Sequence, residues 1–138
     1  MAYAGDLRPT EAWEMLKVEP AAQLVDVRTQ PEWSFVGIPD LDPIGKRPIL
    51  LAWQAYPAMH INPTFVEELK RLVPSPSTPL LFICRSGARS RAAAAAMTAQ
   101  GYQRCYNVAE GFEGQVDAEG HRGRKAGWKA ARLPWNQD

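Results

Sequence analysis

With 138 residues, 46% of them hydrophobic, the chain has the length of one ordinary domain (residues 1–138) and enough apolar content for a core, which excludes a disordered segment. A net charge of +1 gives no strong pull toward nucleic acid or membrane surfaces, and no apolar run reaches the ~18 residues that cross a bilayer. Two cysteines do not make a disulfide framework, and the segment from Met1 to Arg8 lacks the basic and apolar regions of a signal peptide; both point to a reducing, cytoplasmic setting.

Along the chain, Tyr3 to Leu7 reads as a short first strand. Pro9-Thr10-Glu11 opens a helix to about Lys17, with proline near the first helical position and Ala12, Met15 and Leu16 on the inner face. Leu24 to Val27 is a buried strand, and Pro31 to Phe35 forms a short helix. The stretch from Pro48 to Trp53 holds another strand at Ile49-Leu50-Leu51. Asn62 is the expected N-cap of a helix through Val73, in which Phe65, Val66, Leu69 and Leu72 recur at helical spacing. Pro74 to Ser77 is a turn, Leu80 to Ile83 the central strand, and Ala88 to Gln100 a helix stopped by Gly101. Arg104-Cys105-Tyr106 is a last short strand, followed by helical turns in the tail. Strands alternating with helices predict an α/β fold: a central, mostly parallel sheet of about five strands with helices on both faces. Ligands of such folds bind beyond the carboxyl ends of the strands.

Cys84 lies at such an end. The run Leu80-Leu81-Phe82-Ile83 delivers it to the loop Cys84-Arg85-Ser86-Gly87-Ala88-Arg89-Ser90, which leads straight into the alanine-rich helix. A thiol reacts as thiolate, and cationic neighbours or a helix amino terminus favour that form. Arg85 and Arg89 supply cations, Ser86 and Ser90 supply hydroxyls, and Gly87 lets the backbone curl so that N–H groups, including that of Ala88, converge as an anion nest. These residues predict a cysteine nucleophile, Cys84, working on an anionic substrate held by residues 85–90, with bracing of the loop as the alternative role for Arg89.

The motif C-R-S-G-x-R-S after an apolar strand resembles the active-site loop of rhodanese-like sulfurtransferases. Gln23-Leu24-Val25-Asp26-Val27-Arg28, followed by Pro31-Glu32-Trp33, is similar to that family's strand ending in D-V-R. Asn107-Val108-Ala109-Glu110-Gly111-Phe112 is similar to its N-V-x-G-G-[FWY] element, and Gly127 to Pro134 to its closing segment. The resemblance spans nearly the whole chain. It implies a rhodanese-like fold and a sulfurtransferase that carries sulfane sulfur as a Cys84 persulfide. The donor would be a small anion such as thiosulfate, and the acceptor cyanide or a thiol, a sulfur-accepting protein among them. No cofactor is expected, and the charge and hydropathy of the chain predict no nucleic-acid or membrane partner. Loop length separates this reading from cysteine-based phosphatases and arsenate reductases. Phosphatases of this kind use C-x5-R; here Ser90 holds that position and Arg89 makes the loop C-x4-R. A third alternative is a non-catalytic binding module, against which the intact cysteine and arginines weigh.

Asp26 and Arg28 are second-tier candidates: structural hydrogen bonding at a strand end is the simpler reading, while the resemblance implies that Asp26 lies near the catalytic loop. Trp53, Tyr56, Met59 and His60 either wall the substrate mouth or pack an ordinary loop. The family's G-H-I-x-G-A element is replaced by Gly37-Ile38-Pro39-Asp40, which leaves the path of residues 36–62 open. Cys105 reads as a buried strand cysteine, with a resolving role as the alternative. His60 and His121 fit no metal-ligand spacing, so no metal is expected. The basic run from His121 to Lys125 reads as a solvated charge run.

Overall fold

The computed structural model describes residues 2–55, 60–114 and 126–137. Tyr56, Met59 and the basic run from His121 to Lys125 lie outside the described residues. In chain order the elements are β1 (Gly5–Leu7), α1 (Pro9–Val18), β2 (Gln23–Asp26), α2 (Gln30–Val36), β3 (Ile38–Pro39), a 3-10 turn (Asp42–Ile44), β4 (Ile49–Leu50), β5 (Gln54–Ala55) and β6 (His60–Ile61). Then follow α3 (Phe65–Leu72), β7 (Leu80–Ile83), α4 (Ala88–Ala99), β8 (Cys105–Val108) and β9 (Trp135–Asn136).

Five strands form one parallel sheet in the order β1-β8-β7-β2-β4. The central strand β7 is buried on both faces, as an all-apolar parallel strand should be. Its side chains alternate between two cores. Leu80, Phe82 and Cys84 join Phe65 and Leu69 of α3 and Ala93, Ala94 and Met97 of α4. Leu81 and Ile83 face the other way, onto Ala12 and Leu16 of α1 and onto Phe112 and Trp128. The small residues of α4 explain its close seat on the sheet. The expected α/β architecture with helices on both faces is therefore present, and Cys84 stands at the carboxyl end of its middle strand. Among the described residues no helix is long and apolar enough to cross a membrane.

The differences are local. Asn62 does not cap α3. Its Oδ1 accepts from the Thr64 amide and hydroxyl at 3.1 and 3.0 Å, which makes a turn just ahead of a helix whose cap position is Thr64. The last sheet strand starts at Cys105 and runs on to Val108. Two small antiparallel ladders, β3 with β9 and β5 with β6, were not anticipated. The β5–β6 hairpin holds His60 exposed, whereas Trp53 packs edge-on against Phe65 at 5.1 Å in the core beside α3.

Candidate active site

Cys84 is 1% exposed and directly follows β7, opening the loop. A second segment shapes that loop from below. Phe112 N–H donates to the Cys84 carbonyl at 2.8 Å, and the amides of Glu113 and Gly114 donate to the Arg85 carbonyl at 3.0 and 3.1 Å. The first two loop carbonyls are thus drawn down and away, so that the following amides can face the other side. Gly87 (φ 115°) and Gly111 (φ 67°) make this stacking possible. A side chain at 87 would run into the Ala109 carbonyl, and one at 111 would lie 2.5 Å from the Arg85 oxygen and 2.7 Å from the Cys84 oxygen.

Two backbone amides point at the sulfur: Gly87 N at 3.1 Å and Ser90 N at 3.4 Å, with Ser90 Oγ at 3.2 Å. The amides of Ala88 and Arg89 belong to the first turn of α4, where no intrahelical acceptor exists. The sulfur therefore faces donors from the loop and the helix terminus together, a setting that stabilises negative charge at or just beyond it.

Above the sulfur lies a cavity of about 560 Å³. The loop contributes Cys84, Arg85, Ser86, Ala88 and Arg89 to its wall, and other elements add Glu32, Val36, Gln54 and Glu113. Gly87 and Ser90 lie beneath the surface, both buried. The two arginines differ in role. Arg85 is exposed and makes no ion pair among the described residues. Arg89 is locked to the Glu32 carboxylate by two parallel bonds, Nη1–Oε1 at 2.7 Å and Nη2–Oε2 at 2.9 Å. That fork ties the start of α4 to α2, so Arg89 braces the loop, while Arg85 lines the cavity without an ion-pair partner among the described residues.

Glu32 is held further by the Thr29 amide and hydroxyl at 3.2 and 3.0 Å. Burial works to raise its carboxyl, but Arg89 and Thr29 outweigh it and hold the group at about 2, below the ordinary 4.5. Because the folded value lies below the unfolded one, the stability this pair contributes is present above about pH 4.5 and is lost as pH falls toward 2. Glu32→Gln is expected to cost about 1–3 kcal/mol at neutral pH and to flatten that part of the acid limb, as read by urea denaturation at several pH values. An unchanged acid limb would contradict the bracing role.

Asp26 and Arg28 stand apart from the cavity wall. Both are fully buried, paired through Arg28 Nη2–Asp26 Oδ2 at 2.6 Å and Nε–Oδ1 at 2.9 Å. Arg28 also donates to the Gly37 carbonyl at 2.7 Å and stacks 4.3 Å from the Phe112 ring centre. The pair ties the end of β2 to the segment that underpins the loop. Cys105 is opposite Leu80 in the sheet register, four residues short of Cys84, or roughly 13 Å along the strand. A direct disulfide needs Cα atoms closer than about 7 Å, so Cys105 does not resolve Cys84 in this fold. Burial pushes the Cys105 thiol up, as for a core residue. Among the described residues no group of three His, Cys, Asp or Glu side chains is placed to hold a metal.

Glu32, Val36, Gln54 and Glu113 were not singled out as site residues from the sequence. For Glu32 a signal existed, because Thr29-x-x-Glu32 is a capping-box pattern that anchors this carboxylate at the start of α2.

The model of the family described as STR4 middle domain matches residues 5–138. The crystal structure of Rv0390 from M. tuberculosis superposes with a TM-score of 0.91 at 48% sequence identity, covering 99% of each chain. Protein RC0915 of Rickettsia conorii is 41% identical over 127 residues, 91% of this chain and 92% of that one. The thiosulfate sulfurtransferase GlpE of Glaesserella parasuis is 30% identical over 114 residues, 83% of this chain and 88% of that one. With the cysteine loop at the end of the central strand and a match over nearly its whole length, the chain belongs to the STR4 middle domain family and is a rhodanese-like protein.

Proposed function

We propose that the protein is a sulfurtransferase that passes sulfane sulfur from a small anionic donor to a thiophilic acceptor through Cys84. The observation that carries this reading is a cysteine sulfur at the floor of an open cavity, faced by two amides in a C-x4-R loop. The Cys84 thiolate attacks the outer sulfur of a donor such as thiosulfate. A new S–S bond forms, the donor's S–S bond breaks, and sulfite leaves with the bonding electron pair. The resulting persulfide carries its charge on the terminal sulfur, one atom further out, where the backbone amides of residues 86–89 would hold it. An acceptor nucleophile, cyanide in the test tube or a thiol in a reducing cytoplasm, then takes that sulfur and returns Cys84 as thiolate. Neither half-reaction needs a general base, since the nucleophile enters as an anion and the leaving group departs as one.

The loop length supports sulfur over phosphorus. A C-x4-R loop leaves one residue fewer than C-x5-R to surround a tetrahedral phosphoryl group. Steady-state kinetics with thiosulfate and cyanide should give the parallel double-reciprocal lines of a ping-pong mechanism, and aryl phosphates should not turn over. Aryl-phosphate hydrolysis without sulfur transfer would overturn the reading in favour of a phosphatase.

Arg85 is the residue assigned to the donor's charge. Arg85→Ala is expected to raise the KM for thiosulfate about tenfold or more, the loss of a charge-assisted contact, with a much smaller change in the second half-reaction. Equal loss in both half-reactions would mean that Arg85 shapes the loop rather than binding the donor.

A further inference from the structure

A hydrogen-bond chain leads from the buried sulfur through Ser90 and Asn107 to an exposed carboxylate, and its direction is fixed at that far end. Ser90 Oγ lies 3.2 Å from Cys84 Sγ, 2.5 Å from Asn107 Oδ1 and 3.2 Å from the Gly87 carbonyl. Asn107, fully buried on β8, donates through Nδ2 to Asp6 Oδ1 at 3.1 Å. Asp6 sits on the neighbouring edge strand β1, where Asp6 and Asn107 are paired in register. Tyr3 also donates to Asp6 Oδ1, at 2.8 Å. The charged groups around this chain are Arg91, which reaches Tyr3, and, in the cavity wall beside Cys84, Arg85, Arg89, Glu32 and Glu113.

A carboxylate only accepts hydrogen bonds, so Asp6 requires the Asn107 amide to turn its NH₂ outward. The amide oxygen is then left facing Ser90. A hydroxyl has one proton, and the short contact draws it to Asn107. Ser90 thereby presents a lone pair, not a hydrogen, to the sulfur. That arrangement suits a resting thiol, whose S–H can donate to Ser90, and offsets part of the stabilisation that the Gly87 and Ser90 amides give to negative charge on Cys84. It opposes charge on a persulfide less, because that charge sits one atom further away.

We propose that Asp6, acting through Asn107, is a positioning residue that fixes the direction of the Ser90 hydroxyl proton and so restrains the reactivity of the resting Cys84 sulfur. The proposal rests on the reading above only in taking Cys84 as the reacting group. With Asn at position 6 the partner amide can turn over, Asn107 Nδ2 can donate to Ser90, and the Ser90 hydroxyl is freed from Asn107 to share its proton between the Gly87 carbonyl and the sulfur, each 3.2 Å away.

The test is the rate of iodoacetamide alkylation at Cys84, read by peptide mass spectrometry across a pH series, which needs no sulfur donor and so is independent of whether the protein transfers sulfur. Asp6→Asn should slide the rate–pH curve toward lower pH with an unchanged plateau, giving about tenfold faster alkylation on its rising limb, the scale of one hydrogen bond to a charged group. Asn107→Leu, which keeps the Asp6 carboxylate, should move the curve in the same direction. In a Ser90→Ala background Asp6→Asn should have little effect. An unmoved curve in Asp6→Asn would overturn the proposal. So would an equal movement with and without the Ser90 hydroxyl, which would reduce Asp6 to a plain charge effect. Asp6 is exposed, so its variant tests the chain even if the buried Asn107 variant fails to fold.

Discussion

Cys84→Ser is expected to abolish sulfur transfer, lowering turnover on the order of 10³-fold or more while the protein stays folded. The reason is specific to sulfur. The serine oxygen would occupy the same floor of the cavity and could accept from the same Gly87 and Ser90 amides, so packing changes little. An alcohol is scarcely ionised near neutral pH, however, and an oxygen–sulfur bond does not replace a persulfide as a carrier. Thiocyanate production gives the activity readout, and thermal melting checks that the fold is retained, with an expected stability change within about 1 kcal/mol. Substantial residual turnover in the serine variant would place the chemistry elsewhere.

The second large effect is structural and acts on the same loop. Gly111→Ala is expected to destabilise the protein by about 3 kcal/mol or more and to remove Cys84 reactivity with it. Gly111 has φ 67°, unfavourable for alanine, and the added methyl would lie 2.5 and 2.7 Å from the Arg85 and Cys84 carbonyl oxygens. Both obstacles are backbone, and both carbonyls are already tied to the amides of residues 112–114. Relief would require lifting the loop off its support, which turns its carbonyls back toward the sulfur. Urea denaturation and Cys84 alkylation, measured side by side, should both report the loss. A normally stable, normally reactive Gly111→Ala protein would show that the segment beneath the loop is not what shapes it.

The residues of the cysteine loop were legible in the sequence because each local signal agreed with the next. An apolar run marks a buried strand, glycine marks the bend, and alanines mark the helix, all within about twenty residues. The strand–helix alternation extended the same logic to the sheet. What remained hidden depends on contacts between distant segments. Glu32 reaches Arg89 across 57 positions, so of the two sequence readings of Arg89, donor binding or bracing the loop, the bracing contact and its carboxylate partner appear only once α2 is packed beside the loop. The link from Ser90 through Asn107 to Asp6 requires β1, β8 and α4 to meet, and no spacing in one segment encodes that. The two-residue ladders β3–β9 and β5–β6 are too short to show a period in the sequence. Glu110, where the family pattern has glycine, accepts from the Gly127 amide at 2.9 Å and so fastens the supporting segment to the turn at Trp128.

Sulfur loading of Cys84 is read by intact-protein mass spectrometry after incubation with thiosulfate, followed by peptide mapping. The account predicts a gain of one sulfur atom's mass, localised to Cys84, removed by cyanide with release of thiocyanate, and absent from the Cys84→Ser protein. A folded protein that gains no sulfur from thiosulfate or from an organic persulfide, or that gains it at Cys105 instead, would contradict the account.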